Sequence, residues 1–257
     1  AGPRLNLWRA PTDNDGVKSW SGQANKPLGR WHLAGIDRLT CAESHCDVQA
    51  LDDCAVVIEM TNRWVGATPE HQASHVHRYL VLGDGEILVE NLITISPAFP
   101  DLPRVGVTMT LAPALEQLSW FGRGPHESYA DRKAGTMVGL YQGTVTEQYL
   151  PYVLPQEHGN KTDVRWLALE AGPNDAALLF QAENRLLEAS ASHFSAEDLT
   201  KAFHTNELEA RDEVILNLDF AQRGLGGASC GPDTLQQYRL EPGHYSFSYR
   251  IRAYTAE

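Results

Sequence analysis

Short runs of alternating apolar and polar residues cover most of this chain. They are rich in Val, Ile, Leu, Thr and aromatic residues, which is typical of β-strands with one buried face. The runs lie at 54–64, 74–82, 86–96, 104–112, 115–122, 163–171, 176–183, 212–220 and 244–254. Many short strands between turn signals predict an all-β fold, in which two large, mainly antiparallel sheets pack face to face.

Signals for turns and helices are fewer. The glycines of 83–85 predict a hairpin between two strand runs. Residues 27–34 predict a short helix, Ser195 is a candidate N-cap of a second, and one helical turn is expected after Pro125. No repeat or low-complexity linker divides the chain, so we expect residues 1–257 to form a single domain.

Histidines mark one face of the strand run 74–82. His75, His77 and Tyr79 alternate with Val76 and its neighbours, so they share a side of the strand. With His71 they could suggest a metal cluster, but no carboxylate is patterned beside them for coordination. We expect a solvated strand face instead.

Four cysteines are too few for a disulfide scaffold in a chain of 257 residues. Cys41, Cys46 and Cys54 cluster around His45, but they lack the close C-x2-C pairing of structural zinc sites. We expect reduced thiols on strands and a cytoplasmic protein.

Composition and charge exclude several classes of protein. The hydrophobic fraction of 42% is sufficient for a sizeable core, and the net charge of -12 disfavours nucleic acid as a partner. No run approaches the roughly 18 apolar residues of a membrane helix. The N-terminus has no apolar signal-peptide region and no initiator Met, so we expect a segment of a longer chain.

Four polar, glycine-containing segments are the candidates for function: 7–20, 119–135, 152–166 and 223–233. In the first, Asp15 and Gly16 belong to a loop that either caps a turn or reaches a polar ligand. In the second, charged side chains around Arg123 are expected to hold a turn in place.

The third and fourth segments contain the remaining candidate residues. Glu157 and His158 are sequence neighbours, so in an extended segment they point to opposite faces and are poorly placed as an acid/base pair. Cys230 lies in a glycine-dense loop, where a thiol could sit beside a pocket.

Together the motifs LWRAPTDND, WFGRGPHESYADRKAG, YVLPQEHGNKTDVRW and GLGGASCGPD, in this order, resemble one family. They are similar to the C-terminal domain, the fifth and last, of the large β-galactosidases of glycoside hydrolase family 2 (the LacZ type). The resemblance extends from about Leu5 to Tyr254.

This resemblance implies a galactose-mutarotase-like supersandwich that packs against a catalytic barrel and completes a galactoside pocket. It places the catalytic glutamates, and the magnesium and sodium ligands, in other domains, so we expect no cofactor in this segment. The partners implied are the remaining domains, the galactoside, and possible further copies of the full enzyme.

The resemblance also implies three residues at the pocket rim. Cys230 corresponds to a tryptophan that stacks on sugar in the family, although a thiol offers far less apolar surface. Asp15 and Gly16 begin a loop that opens and closes during turnover in the family. Glu157 and His158 are expected to be scaffold facing the pocket, without a catalytic role.

Three alternatives remain open. One is that the chain is a separate small subunit of a split, two-chain β-galactosidase, and the other two are different functions. A stand-alone aldose 1-epimerase could use the same sandwich, and so could a carbohydrate-binding module without catalysis. If a barrel domain once packed here, exposed apolar surface is expected, with Trp8, Trp20, Trp31 and Tyr152 as candidates.

Overall fold

The computed structural model describes residues 1–20 and 23–256. Its strands are β1 Arg4–Asn6, β2 Thr40–Asp52, β3 Ala55–Val65, β4 Gln72–Leu82, β5 Ile87–Ile95, β6 Arg104–Leu111, β7 Gln117–Gly124, β8 Met137–Thr144, β9 Lys161–Val164, β10 Trp166–Glu170, β11 Ala176–Ala182, β12 Leu187–Ser192, β13 Val214–Gln222 and β14 His244–Thr255. The α-helices are α1 Pro27–Ala34 and α2 Ala196–Lys201, and short 3-10 turns lie at Ile36–Arg38, Thr146–Gln148, Thr205–Glu207 and Gln236–Tyr238.

The strands form two antiparallel sheets. The smaller has the order β1-β6-β13-β12-β9, and the larger has the order β2-β3-β4-β5-β14-β11-β10-β7-β8. The all-β, two-sheet architecture predicted from the sequence is confirmed. Helices are few, and none in the described residues is long and apolar enough to cross a membrane.

The core lies between the two sheets, because each strand turns alternate residues inward. From the smaller sheet, Val107 of β6 and Leu216 of β13 are completely buried. From the larger sheet, Val89 of β5 and Phe247 of β14 face them in the same hydrophobic cluster. Trp31 of α1 joins this core, and its indole N–H donates to the Asp101 carbonyl.

Local chemistry accounts for both helices. Ser195 caps α2 as predicted: its side chain accepts the Asp198 N–H, and the Asp198 carboxylate accepts the Ser195 N–H in return. Helix α1 begins with Pro27 and ends at Gly35, which has the left-handed φ of 73° that glycine adopts readily. The helical turn predicted after Pro125 is wrong, since the chain there is an irregular loop.

The solvated face predicted for the histidines of β4 is also wrong. His75 is 0% exposed and His77 is 2% exposed, and both lie on the inner side of the larger sheet. Alternation showed correctly that they share a face but could not show which face is buried. That depends on which distant parts of the chain pack against the strand.

Strand β2 was missed because its residues do not alternate between buried and exposed. It is an edge strand, and all of its residues are exposed. Cys41 and Cys46 lie on it, and these two thiols, with those of Cys54 and Cys230, are free and exposed.

Candidate functional site

The four polar segments meet in one place, which we call the four-segment cluster (7–20, 119–135, 152–166 and 223–233). The first and third are joined by backbone and side-chain bonds, among them Glu157 N–H to Ala10 carbonyl at 3.2 Å and Asp13 N–H to Gln156 Oε1 at 3.1 Å. The second and third are joined where the Ser128 N–H donates to the Asn160 carbonyl at 2.8 Å. Segments that are far apart in sequence therefore form one continuous surface.

Asp15 anchors the first loop from inside. Its carboxylate accepts both Nε and Nη2 of Arg9, at 3.0 and 2.7 Å, and the N–H and hydroxyl of Thr12. The Arg223 guanidinium lies 3.9 Å away, and Asp15 is 0% exposed. What Asp15 contributes to the surface is thus the shape of its loop, since its carboxylate is fully occupied below that surface.

Gly16 permits the loop to turn tightly against α1. Its φ is +146°, and a Cβ at this position would lie 2.9 Å from the Cβ of Leu28. The Leu28 N–H donates to the Asp15 carbonyl at 2.9 Å, which joins the loop to the helix start. A side chain at Gly16 would therefore both strain the backbone and displace α1.

Lys18 anchors the far side of the same loop. Its ammonium donates to the carbonyls of Pro155 at 2.8 Å and Leu199 at 2.5 Å, and also to that of Ala202. Burial lowers the pKa of Lys18 to about 8. The loop is thereby attached to the third segment and to α2 at once.

The loop that contains Cys230 is held at its base by Asp131 of the second segment. The Asp131 carboxylate accepts the N–H groups of Leu225 at 2.9 Å and Gly226 at 2.7 Å. Asn14 of the first segment connects to the same loop, because its Nδ2 donates to the Gly226 carbonyl and its Oδ1 accepts the Ser229 N–H.

Arg223 completes the support of this loop. It donates to Asp101 at 2.7 Å and to Asp233 at 2.6 Å, and Arg9 donates to its carbonyl. Burial raises the pKa of Asp233, but its contacts with Arg223, the Thr234 N–H and Arg30 together lower it to about 2. Cys230 is exposed at the tip, above this rigid base.

Glu127 joins the second and third segments. It accepts the Gly159 N–H at 2.8 Å, the Tyr129 hydroxyl at 3.3 Å and, closely, the Tyr152 hydroxyl. The charged network expected around Arg123 is also present, with its Nε 2.5 Å from Asp163. These carboxylates connect the two segments and hold their turns in place.

Glu157 belongs to a buried ionic cluster at the base of the four segments. Its carboxylate accepts Arg104 at 2.6 Å and Gln222 at 3.2 Å. Arg104 Nε lies 2.9 Å from Asp219, although the alignment is too poor for a hydrogen bond. Glu188 accepts Asn160 Nδ2 at 2.9 Å and the Gln222 N–H at 3.1 Å.

This ionic cluster contains three carboxyl groups beside a single guanidinium. Burial raises the pKa of Asp219 well above its ordinary value, and the nearby Glu188 and Glu157 raise it further, against the opposing effect of Arg104. Burial likewise raises the pKa of Glu188 to about 7. Both shifts have the same direction, so the cluster favours the protonated forms of Asp219 and Glu188.

His158 lies beside this cluster but does not pair with Glu157. Its Nδ1 is 3.0 Å from the Gln156 carbonyl, and its ring contacts Tyr149 edge-on with centroids 5.3 Å apart. Its Nε2 is buried without a hydrogen-bond partner among the described protein groups. Both residues are buried. Their expected role as scaffold that faces the pocket stays a prediction.

The aromatic residues expected at an exposed patch divide between surface and core. Trp20 is 65% exposed and lies on the first segment, as expected. Trp31 is 0% exposed, so that expectation is wrong: the α1 position places its indole in the core. Trp8 and Tyr152 are half-buried, and Val153 beside Tyr152 is 93% exposed.

The sequence reading missed Arg104, Glu188 and Asp219. Each lies on a strand of the smaller sheet: Arg104 begins β6, and Glu188 and Asp219 interrupt otherwise apolar or small-residue runs in β12 and β13. Such residues are rarely buried unless they are paired, so a charge inside a strand pattern was the available signal. Across residues 1–20 and 23–256, no three His, Cys, Asp or Glu side chains are arranged to hold a metal ion.

Comparison with known proteins decides the family. The profile described as "Beta galactosidase small chain" matches residues 1–251. The chain belongs to this β-galactosidase small-chain family. The family predicted from the four motifs is thereby confirmed.

Curated relatives of this small chain are longer than it is. It is 35% identical to a β-galactosidase of Arthrobacter sp. (strain B7), over 98% of this chain and 26% of that protein. It is 33% identical to a β-galactosidase of Vibrio cholerae, over 97% of this chain and 24% of that protein. The small chain thus spans about a quarter of the length of the curated relatives it matches.

Among solved structures, a galactose 1-epimerase of Lactobacillus acidophilus is similar at 9% identity and a TM-score of 0.47, over 82% of this chain and 67% of that one. A galactose mutarotase-like protein of Lactobacillus casei is similar at 11% identity and a TM-score of 0.40, over 81% of this chain and 73% of that one. At these identities and TM-scores, the activities of the two solved proteins are not transferred to this chain.

Proposed function

We propose that this chain forms the C-terminal part of a β-galactosidase that hydrolyses terminal β-D-galactosides. In that enzyme it shapes the substrate pocket, while the catalytic glutamates belong to polypeptide outside residues 1–257. The observation that carries the proposal is the family match over residues 1–251, together with relatives that are about four times longer and are named β-galactosidases.

The chemistry of the four-segment cluster supports this division of labour. A retaining glycosidase needs two carboxyl groups about 5–5.5 Å apart that can reach the sugar. In the four-segment cluster, Glu127 and Asp131 hold turns, and Asp15 and Glu157 are buried in ion pairs. These groups stabilise the site and leave bond cleavage to other residues.

The same network suits a positioning role. The rim loops of Gly16 and Cys230 are attached to each other through Asn14 and to the base through Arg9 and Arg223. A displacement of about 1 Å at a substrate-positioning loop can reduce a rate about a hundredfold. Rigid support for two loops is therefore a contribution to turnover even without a reacting group.

The magnesium and sodium of the full enzyme are proposed to bind through other domains, and the remaining domains are the proposed partners. Exposed apolar residues of the four-segment cluster, Trp20 and Val153, are the surface that a neighbouring domain would cover. A cytoplasmic location remains part of the proposal.

The test is an assay of the purified 257-residue chain with a chromogenic β-galactoside. We expect no hydrolysis, and robust turnover by the pure chain would contradict the proposal. Polarimetry on freshly dissolved α-galactose tests the aldose 1-epimerase alternative, which requires accelerated mutarotation. A chimera in which this chain replaces the matching quarter of the Arthrobacter enzyme should hydrolyse the substrate, and its Cys230→Trp variant would test the rim directly.

A further inference from the structure

The tip of the Cys230 loop, residues 227–230, has few contacts of its own. A Cβ built on Gly227 would meet no other atom within 4 Å, and Cys230 is exposed. Within the loop, the Gly231 N–H donates to the Gly227 carbonyl at 2.8 Å. Segments with few buried contacts open at a low cost in free energy. The position of the tip therefore depends on what other parts of the chain attach to it.

The base of this loop is fixed separately from its tip. The Asp131 carboxylate accepts the N–H groups of Leu225 at 2.9 Å and Gly226 at 2.7 Å. Both bonds end before residue 227. The base therefore does not determine the position of the tip.

The contacts that reach the tip come from the first segment and from the residue before α1. Asn14 spans the loop, because its Nδ2 donates to the Gly226 carbonyl at 2.8 Å and its Oδ1 accepts the Ser229 N–H at 3.3 Å. The Lys26 ammonium donates to the Ala228 carbonyl. Among the described residues, the bonds to Ala228 and Ser229 are the hydrogen bonds that join the tip to the rest of the chain.

The first loop is held in place without the tip. The Asp15 carboxylate accepts Arg9 at 3.0 and 2.7 Å, and the Lys18 ammonium donates to the Pro155 carbonyl at 2.8 Å. Neither contact involves the side chain of Asn14. Loss of the Asn14 bonds should therefore release the tip and leave the first loop in place.

We propose that Asn14 is a positioning residue that holds the tip of the Cys230 loop at the rim of the galactoside pocket, with Lys26 as a second support. The inference rests on the proposed function, because it concerns the rim of that same pocket. Asn14 acts through the backbone of 226–229 and takes no part in bond cleavage. The dependence between the two rim loops runs in one direction, from the first loop to the tip.

The experiment uses two variants of the 257-residue chain. Asn14→Asp keeps the size and the Oδ1 acceptor, but it replaces the donor to the Gly226 carbonyl by an oxygen that repels it. Lys26→Met removes the ammonium and keeps most of the stem. Amide hydrogen exchange, measured by mass spectrometry, reports local opening. Exchange in 226–231 should be about three- to tenfold faster in each variant, the effect of one lost hydrogen bond, and unchanged in 12–20.

Each variant has a matched control. Asn25→Asp changes an exposed asparagine shortly before α1, and Lys201→Met changes an exposed lysine of α2. Neither should alter exchange in 226–231, and thermal unfolding checks that every variant folds. Unchanged exchange in 226–231 in both test variants would overturn the proposal. Equally accelerated exchange in 12–20 would also overturn it, because the first loop would then depend on the tip.

A second measurement separates positioning from stability. In the folded chimera with the Arthrobacter enzyme, Asn14→Asp should lower kcat/KM for the chromogenic β-galactoside by about ten- to a hundredfold, because displaced positioning loops slow turnover. Asn25→Asp should leave kcat/KM unchanged. Faster exchange without a loss of kcat/KM would overturn the positioning role. An inactive parent chimera would contradict the proposed function, whereas exchange tests the coupling of the loops by itself, so the two proposals fail separately.

Discussion

Two buried polar regions of this chain differ in how their polar side chains are satisfied: one contains ion pairs, and the other contains neutral groups. The ionic cluster around Arg104 lies at the base of the four-segment cluster and pairs that guanidinium with Glu157 and Asp219. The second region, which we call the histidine cluster, consists of His75, His77 and Tyr249 on the inner face of the larger sheet. It contains no ion pair between its members, and several of its atoms lack partners.

The histidine cluster is uncharged because burial prevents its protonation. The centroids of the His75 and His77 rings lie 3.7 Å apart, and His75 Nε2 donates to Asn91 Oδ1 at 3.2 Å. Burial lowers the pKa of His75 to about 4 and that of His77 to about 3. Tyr79 and Tyr249 are the titratable groups beside them, and burial raises the pKa of both.

The two regions differ in what their side chains do for the structure around them. Three members of the ionic cluster, Arg104, Glu188 and Asp219, lie on strands of the smaller sheet, and Glu157 links them to the third segment through its bond with Arg104. The histidine cluster lies on regular strands whose backbone groups are already paired, so its side chains mainly fill space. The first region should therefore be sensitive to loss of a charge, and the second to gain of one.

The largest expected effect is at Arg104. Arg104→Met keeps an apolar stem but leaves the neighbouring carboxylates without their counter-ion, which should reduce the free energy of unfolding by about 3–5 kcal/mol. Urea denaturation at pH 7 measures this. Arg63→Ala, which removes an exposed partner of Glu43, is the control and should have little effect. Equal losses in the two variants would show that the buried cluster does not depend on this charge.

Acidification should act on the histidine cluster. Both folded-state pKa values lie below the ordinary 6.5. The contribution of the two histidines to the free energy of unfolding is therefore complete above pH 6.5 and is lost as the pH falls toward 4 and 3. The loss at pH 5 is about 2 kcal/mol for each histidine. The double variant His75→Asn/His77→Gln should lose less stability between pH 7 and pH 5 than the parent chain.

The control for this comparison is His204→Gln, which changes an exposed histidine. Its pH dependence should resemble that of the parent. If the double variant also runs parallel to the parent between pH 7 and pH 5, the buried histidines are not the groups that acid charges.

Alkali should act on the ionic cluster. The folded-state pKa of Glu188 is raised from 4.5 to about 7. Its contribution to the free energy of unfolding is therefore present at low pH and lost as the pH rises through 7. Glu188→Gln should remove this loss, worth up to about 3 kcal/mol at pH 8, and should change little at pH 4.5. Unfolding curves across this range provide the measurement, with Glu197→Gln as the exposed control. A constant offset between Glu188→Gln and the parent would contradict the assignment.

The smallest effect is expected at Tyr249. Its hydroxyl is buried without a partner among the described groups, so Tyr249→Phe should change stability by no more than about 0.5 kcal/mol. Tyr129→Phe removes a hydroxyl that donates to Glu127, and it should cost about 1 kcal/mol. A larger cost at Tyr249 than at Tyr129 would show that the histidine cluster has a bound partner, such as buried water.

Regular elements were predictable where a local rule applied. The β5 run 86–96 closely matches Ile87–Ile95, and the expected helix 27–34 coincides with Pro27–Ala34. Both rest on neighbours in sequence: alternation for the strand, and proline and glycine at the two ends for the helix. Strand β2 has no such pattern, because both of its faces are exposed.

For the site, the motifs predicted the family but not the interactions beneath it. Asp15 and Cys230 were both placed at a rim, yet Asp15 is buried in ion pairs and Cys230 is exposed. Arg104 and Asp219 were not predictable as site residues, because their importance depends on each other and on Glu157, which lies on another segment.

The sequence by itself therefore determined the all-β class, most strands, both helix starts and the family, since these depend on periodicity, caps and motif order along the chain. Only the tertiary structure decided that the histidine face is buried and that three acids share one arginine. Burial and charge pairing are properties of groups brought together from distant positions, and a one-dimensional pattern contains no information on which face another sheet will cover.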